Sequence, residues 1–230
     1  DNETKHYDNI GRYMQEGFVR SLQEKYPDLR QLNHDFGLDY WSNRIDRWQD
    51  FPPVENTINA SLACAFSRYQ RQQVTEYLAW QAEIVREYAQ PHQFVTHNFD
   101  FEWRGYSYGV QPRVDHFAAA QALDVAGVDI YHPSQAHLTG REIAFGGAIT
   151  RSLKPGQNYF VLETQAQGFA QWTPYPGQLR LQAFSHIASG AAMVSYWHWH
   201  SIHNAFETYW KGLLSHDFSR NPTWQEATTI

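Results

Sequence analysis

The sequence predicts an α/β fold in which parallel strands are joined by helical crossovers. Beyond Pro91 four short β-like runs recur, at residues 94–98, 128–131, 159–163 and 192–197. Helical segments of amphipathic character lie between them. Strand–helix–strand alternation of this kind implies a parallel sheet with its helices on the outside. Four strands are half of a closed (β/α)8 barrel, which typically takes about 250 residues or more. The 230 residues begin at Asp1 without a methionine. They are therefore expected to form part of one barrel domain over 1–230, incomplete at its N-terminus.

Each element has its own justification. Ile10, Met14, Phe18 and Leu22 recur at every fourth position, and Glu16 stands four before Arg20, which predicts a helix over 9–26 that stops at Pro27. Residues 28–65 read as an irregular insertion rich in Trp, with Trp41, Trp48 and the Phe51-Pro52-Pro53 run. Phe66, Tyr69, Val74, Tyr77, Leu78, Ile84, Val85 and Tyr88 then mark a long amphipathic helix ended by Pro91. Among the crossovers, one helix is expected over 115–123. A second should start at Thr139, with Glu142 three residues on at capping-box spacing. A third has Pro176 in its first turn and closes at Gly190.

Composition removes several classes of function. Lys and Arg number 18 against 24 Asp and Glu, a formal charge of −6, so a nucleic-acid partner that needs a basic surplus is not expected. No run approaches the about 18 consecutive apolar residues of a membrane helix, so no membrane partner is expected either. Cys64 is the single cysteine, which rules out an internal disulfide and a cysteine zinc cage. No cofactor is signalled, and a cytoplasmic location is the default expectation. The positive signal is aromatic: 9 Trp, 14 Tyr and 14 Phe make 16% of the chain. Many fill a core, and flat faces with polar tips also suit sugar rings.

Two glutamates stand where chemistry would be expected. Glu163 closes an otherwise apolar strand and leads into the polar run Thr164-Gln165-Ala166-Gln167-Gly168. The C-terminal ends of parallel barrel strands are where such enzymes carry their catalysts. Glu3 precedes a helix and in isolation reads as charge complementing a helix dipole. Taken together the two meet the demand of glycoside hydrolysis for one protonated and one ionised carboxyl group.

Several ordered motifs then converge. Asn2-Glu3, the segment Leu32-Asn33-His34-Asp35-Phe36-Gly37-Leu38-Asp39-Tyr40-Trp41-Ser42, Leu162-Glu163-Thr164-Gln165, Trp172-Thr173-Pro174-Tyr175, Gln182-Ala183-Phe184-Ser185-His186 and Tyr196-Trp197-His198-Trp199 together resemble the catalytic barrel of family 42 glycoside hydrolases, the bacterial β-galactosidases. The resemblance covers nearly the whole chain and implies the second half of a TIM barrel, from the end of strand four to strand eight. It implies Glu3 as general acid/base and Glu163 as nucleophile of a retaining double displacement. Asn2 would hold the hydroxyl beside the anomeric carbon, Trp172 would line the sugar pocket, Glu207 would accept sugar hydroxyls, and Trp199 would form an aromatic floor. A galactoside or oligosaccharide is the implied substrate, with α-L-arabinopyranoside or β-D-fucoside as the alternative glycone. A homo-oligomer is consistent with it, relatives often being trimers.

The chain departs from the family in three places. Some members bind zinc through a cysteine cluster after the first helix, where Cys64 stands alone, so no metal is expected. His198 and His200 occupy positions where the family often has arginines. Trp210 replaces a histidine three residues beyond the binding glutamate. His198, His200 and His203 also form H-x-H-x-x-H, which as a metal-dependent hydrolase site would leave an open position for water. A non-catalytic carbohydrate-binding protein is the other alternative class, keeping Trp172, Trp199 and Glu207 while tolerating loss of either glutamate.

Overall fold

The computed structural model describes residues 1–104, 107–109, 111–132, 139–168 and 173–230, and the side chains of all of these outside 102–110. In chain order the elements are α1 (Arg12–Lys25), α2 (Leu29–Phe36), α3 (Ala60–Tyr88), β1 (Asn98–Phe99), β2 (Glu102–Arg104), β3 (Ser107–Gly109), α4 (His116–Ala119), β4 (Gly127–Asp129), α5 (Arg141–Leu153), β5 (Tyr159–Gln165), α6 (Gln178–Ala188), β6 (Ala191–Trp197) and α7 (Pro222–Ala227). They fall into two compact units. One holds Asp1–Thr4, Leu78–Pro112 and His116–Ile230, and the other Lys5–Tyr77 with Arg113–Asp115.

The first unit is the α/β part. Its four strands pair in parallel in the order β1-β4-β5-β6. Val128, Ile130, Tyr159 and Val161 are buried in the core of this sheet. Two consecutive glycines let α5 lie close against it. A Cβ on Gly146 would come within 2.9 Å of the Ile130 side chain, and one on Gly147 within 2.4 Å of the Tyr159 hydroxyl. The expected strand over 94–98 is shorter and later, as β1. An antiparallel hairpin of β2 and β3 follows it, pairing Trp103 with Tyr108, which alternation in so short a run did not reveal.

Helix ends differ from expectation for specific reasons. The spacing of Thr139 and Glu142 predicts a capping box, yet α5 starts at Arg141 after Gly140, whose φ of +73° is left-handed. Thr139 Oγ1 accepts instead from the Arg141 N–H at 3.3 Å, and Glu142 turns inward to His132 at 3.1 Å. A buried hydrogen-bond partner outcompetes the local cap. Pro176 lies just before α6 rather than inside it. The first turn of α6 is capped from afar, by the Glu226 carboxylate accepting from the N–H groups of Gly177 at 3.0 Å and Arg180 at 2.8 Å.

The second unit is helical. Phe18 and Leu22 of α1 bury against Leu32, Leu38, Ile45, Val54, Leu62 and Phe66, while Ile10, which shares their spacing, lies outside the helix and is exposed. Within the stretch read as irregular, α2 forms between an Asp28 N-cap and Gly37, whose φ of +62° supplies the left-handed C-terminal turn. Asn33 explains much of the Leu32–Ser42 motif. Its amide donates to the carbonyls of Leu29 at 2.8 Å and Ile45 at 2.7 Å, and its Oδ1 accepts from the Ile45 N–H at 2.8 Å. A fully buried side chain thus ties the irregular segment to α2.

Asn33→Ala strands a buried N–H and a buried carbonyl, and is expected to cost roughly 2–4 kcal/mol. Urea unfolding followed by Trp fluorescence checks it. A midpoint unchanged from the parent would mean that the motif is not held by this side chain.

Candidate active site

The polar residues that matter converge at the C-terminal ends of β1, β4 and β5. Parallel register sets Asp129 of β4 beside Glu163 of β5, and β1 places Asn98 on the other flank of β4. Glu3 arrives on the N-terminal segment, which is pinned by a bond from the Thr4 N–H to His97 Nε2 at 3.0 Å. Burial lowers the His97 pKa to about 4, aided by the charges of the N-terminus and His116. The imidazole is therefore neutral near pH 7 and able to accept this bond.

Asn98 is the centre of the constellation. Its Nδ2 donates to Asn2 Oδ1 at 2.5 Å, to Asp129 Oδ2 at 2.8 Å and to Glu163 Oε1 at 3.2 Å. Its Oδ1 accepts from the Glu3 backbone N–H at 3.4 Å. The second oxygen of Glu163 accepts from the Tyr131 hydroxyl at 2.8 Å. Glu3 sits at a φ of +44°, a left-handed conformation that costs a non-glycine residue about 1 kcal/mol or more. Such outliers persist where surrounding bonds over-determine the backbone, as the anchors at Asn98 and His97 do here.

Electrostatics divides the carboxyl groups. One oxygen each of Glu3, Asp129 and Glu163 lies within 4.8 Å of the other two. Asp129 is almost wholly buried. Burial first and the charge of Glu163 second push its pKa to about 9, with Glu3 and Asp100 adding to the rise and the Asn98 bond opposing it. Near neutrality Asp129 is a carboxylic acid. Glu163 is half-buried, and desolvation raises its pKa with help from Glu207, while the bonds from Tyr131 and Asn98 act the other way by stabilising the anion. Tyr131 is pushed well above the ordinary phenol range by burial and by Glu163, so it remains a donor. Three carboxylates this close are also the oxygen donor set a hard cation takes, and equally the equipment of acid–base hydrolysis.

Asn2, Glu3 and Glu163, expected together, are together. Glu207 reaches the same group from beyond β6: its Oε2 accepts from Trp197 Nε1 at 3.1 Å and its charge acts on Glu163. Trp210 is buried, packs edge-on against Tyr131 at 5.5 Å and donates to the Trp197 carbonyl at 3.0 Å. Trp210 thus braces Tyr131, which holds Glu163, and the backbone of Trp197, whose indole holds Glu207. Trp199 is 60% exposed. Trp172 lies outside the described residues. His198 meets His200 edge-on and His200 meets His203 at a tilt, at 5.4 Å and 5.5 Å between centroids, with His200 Nδ1 bonded to the Ser201 carbonyl and His203 Nε2 to the His216 carbonyl. Among the described residues their ligand atoms do not converge.

Sequence reasoning passed over Asn98, Asp129 and Tyr131. Each lies in a β-like run already recognised, and a polar residue at the C-terminal end of such a run was the signal available.

The profile of the family described as β-galactosidase, glycoside hydrolase family 42, matches residues 1–230. This chain belongs to that family. It is 30% identical to a β-galactosidase of Thermus thermophilus over 256 residues, covering 100% of this chain and 38% of the relative. It is 28% identical to the β-galactosidase BgaH of Haloferax lucentense over 254 residues, covering 100% and 36%. The chain therefore spans a little over a third of the length of these relatives. Among solved structures, a β-galactosidase from Halorubrum lacusprofundi superposes with a TM-score of 0.85 at 25% identity, covering 99% of this chain and 36% of that one. A family 42 β-galactosidase from G. stearothermophilus gives 0.88 at 23% identity, covering 100% and 35%. The parallel sheet of this family 42 chain is accordingly part of a TIM barrel. No helix among the described residues is long and apolar enough to cross a membrane.

Asp129 carries a testable consequence for pH. Between the ordinary aspartate value of 3.8 and about 9 the native state keeps a proton that the unfolded chain has released. Its contribution to stability is therefore full below the unfolded pKa and is lost as pH rises toward the folded one. Asp129→Asn mimics the neutral acid and is expected to flatten this decline. Melting temperatures taken from pH 5 to pH 9 should fall less in the variant than in the parent; parallel curves would show that Asp129 is ionised in the native protein.

Proposed function

We propose that this chain carries the catalytic centre of a retaining β-galactosidase, with Glu163 as nucleophile and Glu3 as general acid/base. The observation that supports it best is the approach of the two carboxylates, whose nearest oxygens lie within 4.8 Å. Retaining enzymes hold their carboxyl groups about 5–5.5 Å apart, and inverting enzymes need roughly 6.5–9.5 Å to admit a water between.

The chemistry follows from the surroundings. Glu163 Oε1 or Oε2 attacks the anomeric carbon while Glu3 delivers its proton to the departing glycosidic oxygen, forming a glycosyl-enzyme ester. Glu3, now ionised, takes a proton from water, whose oxygen displaces Glu163 and returns the starting configuration. Tyr131 and Asn98 favour the nucleophile's anion against the rise that burial causes, and they aim it. With Asn2 Oδ1 engaged by Asn98, the Asn2 amide N–H groups suit a sugar hydroxyl next to the reacting carbon. Glu207, steadied by Trp197, suits hydroxyls farther round the ring. β-D-Galactosides are the substrates named for the relatives, and arabinopyranosides and β-D-fucosides share the relevant ring stereochemistry. The single barrel domain over 1–230, with 28–65 as an insertion, belongs to the same proposal. So do a homo-oligomeric assembly and a cytoplasmic location.

Hydrolysis of 4-nitrophenyl β-D-galactoside by the natural-length protein tests the proposal. Glu163→Gly should lower kcat by about 10⁴-fold or more, and added azide should restore part of it by standing in for the carboxylate. Absence of rescue in a folded variant would assign the attack to another residue. Glu3→Ala should cost about 10²–10⁴-fold on substrates with poor leaving groups and much less on the nitrophenyl glycoside, which needs little protonation. Equal losses on both would remove Glu3 from the acid/base role.

A further inference from the structure

The nucleophile is held by Tyr131, but Tyr131 lies past the end of β4, where ladder bonding has stopped. The last rung is the Ile130 N–H donating to the Glu163 carbonyl at 3.0 Å. Beyond it, a side chain continues the ladder. Gln165 Oε1 accepts from the His132 backbone N–H at 2.9 Å, and Gln165 Nε2 donates to the His132 carbonyl at 2.9 Å. Both groups of one peptide residue are thus satisfied by one buried amide, as a neighbouring strand would satisfy them. Meanwhile the Gln165 backbone pairs with Trp197 of β6 on its other side.

The His132 ring is fixed just as closely. Its Nδ1 meets Glu142 Oε1 of α5 at 3.1 Å and its Nε2 meets Thr164 Oγ1 at 3.3 Å, with the ring of His186 from α6 at 5.4 Å between centroids. Residues 164 and 165, immediately after Glu163, therefore seize both the side chain and the backbone of the residue immediately after Tyr131.

We propose that Gln165 is a positioning residue for the nucleophile, its side-chain amide locking the backbone at His132 so that the neighbouring Tyr131 hydroxyl stays on Glu163. The inference rests on the reading of Glu163 as nucleophile only for its kinetic consequence; the mechanical link stands apart from it. Groups facing Glu163 from elsewhere are Glu3, Asp129, Asn98 and Glu207, and those facing His132 are Glu142, Thr164 and His186. The Gln165 side-chain amide reaches Glu163 through His132 and Tyr131, whereas its backbone joins Glu163 along β5 and pairs with Trp197, links that a side-chain substitution leaves in place.

The test is a double-mutant cycle of Gln165→Met and Tyr131→Phe in the natural-length protein. The readout is the Glu163 carboxyl titration by 13C NMR of labelled glutamate, its resonance assigned with Glu163→Gln. Loss of the Tyr131 bond removes a contact that favours the anion, so the midpoint should move to higher pH in Tyr131→Phe. It should move likewise in Gln165→Met, and no further in the double variant. Turnover of the galactoside should fall about 10- to 100-fold in kcat in Gln165→Met, as expected for a misplaced reacting group, with KM little changed and the acidic limb of the pH profile shifted upward. Gln165→Glu keeps the bond to the His132 N–H and loses the one to its carbonyl. It should give an intermediate effect, and serves as the probe if Gln165→Met does not fold. A Glu163 midpoint unmoved by the Gln165 substitutions, or shifts that add to that of Tyr131→Phe, would overturn the proposal. A midpoint that moves as described in a protein without glycosidase turnover would retain the clamp and refute the functional reading.

Discussion

The site depends on one amide. Asn98 donates to the side chains of Asn2, Asp129 and Glu163 and accepts from the backbone of Glu3, so residues from three separate stretches of sequence take their positions from it. An amide suits this place because it offers donors and an acceptor without a net charge. A lysine or arginine would neutralise Glu163, and a further carboxylate would only add to the crowding. Two N–H groups serve three oxygens here, and the near-neutral Asp129 is the acceptor with least need of a full share.

Crowding is the second constraint. Carboxylates at such separations cannot all be ionised in a partly desolvated pocket. The structure resolves the conflict by depth. Asp129 lies deepest and keeps its proton, while Glu163 is supplied with a phenol and an amide as donors. Asp129 as an acid places no negative charge beside Glu163. Tyr131 stays protonated and able to donate, the same surroundings pushing its ionisation further up.

The motifs that identify the family divide into two kinds when placed on the structure. Asn2-Glu3 and Leu162-Glu163-Thr164-Gln165 contribute to the carboxyl cluster and its supports. The Leu32–Ser42 run is built around a buried asparagine that fastens an irregular segment, with Gly37 turning the chain at a left-handed φ. His186, at the end of the α6 motif, is fully buried with a pKa lowered to about 3 by desolvation and by His132, and so packs as a neutral ring. Sequence similarity weights these motifs alike; burial and partners separate them.

The parallel α/β class, the places of three of the four sheet strands and the two long helices were legible in the sequence, because hydrophobic periodicity and Pro/Gly punctuation are local properties. The pairing of Glu3 with Glu163 was legible too, through the resemblance and the chemistry that two carboxyl groups imply. What tertiary structure alone decided is everything that depends on desolvation and on partners distant in sequence. Thr139 and Glu142 had the spacing of a cap, yet Glu142 turned inward to His132, and Glu226 capped a helix 46 residues away from it. Asp129 read as one polar residue in a strand, and only burial beside Glu163 makes it an acid near neutral pH. Asn98, Tyr131 and Gln165 gain their roles from strand register, which sets side by side residues that no local pattern connects.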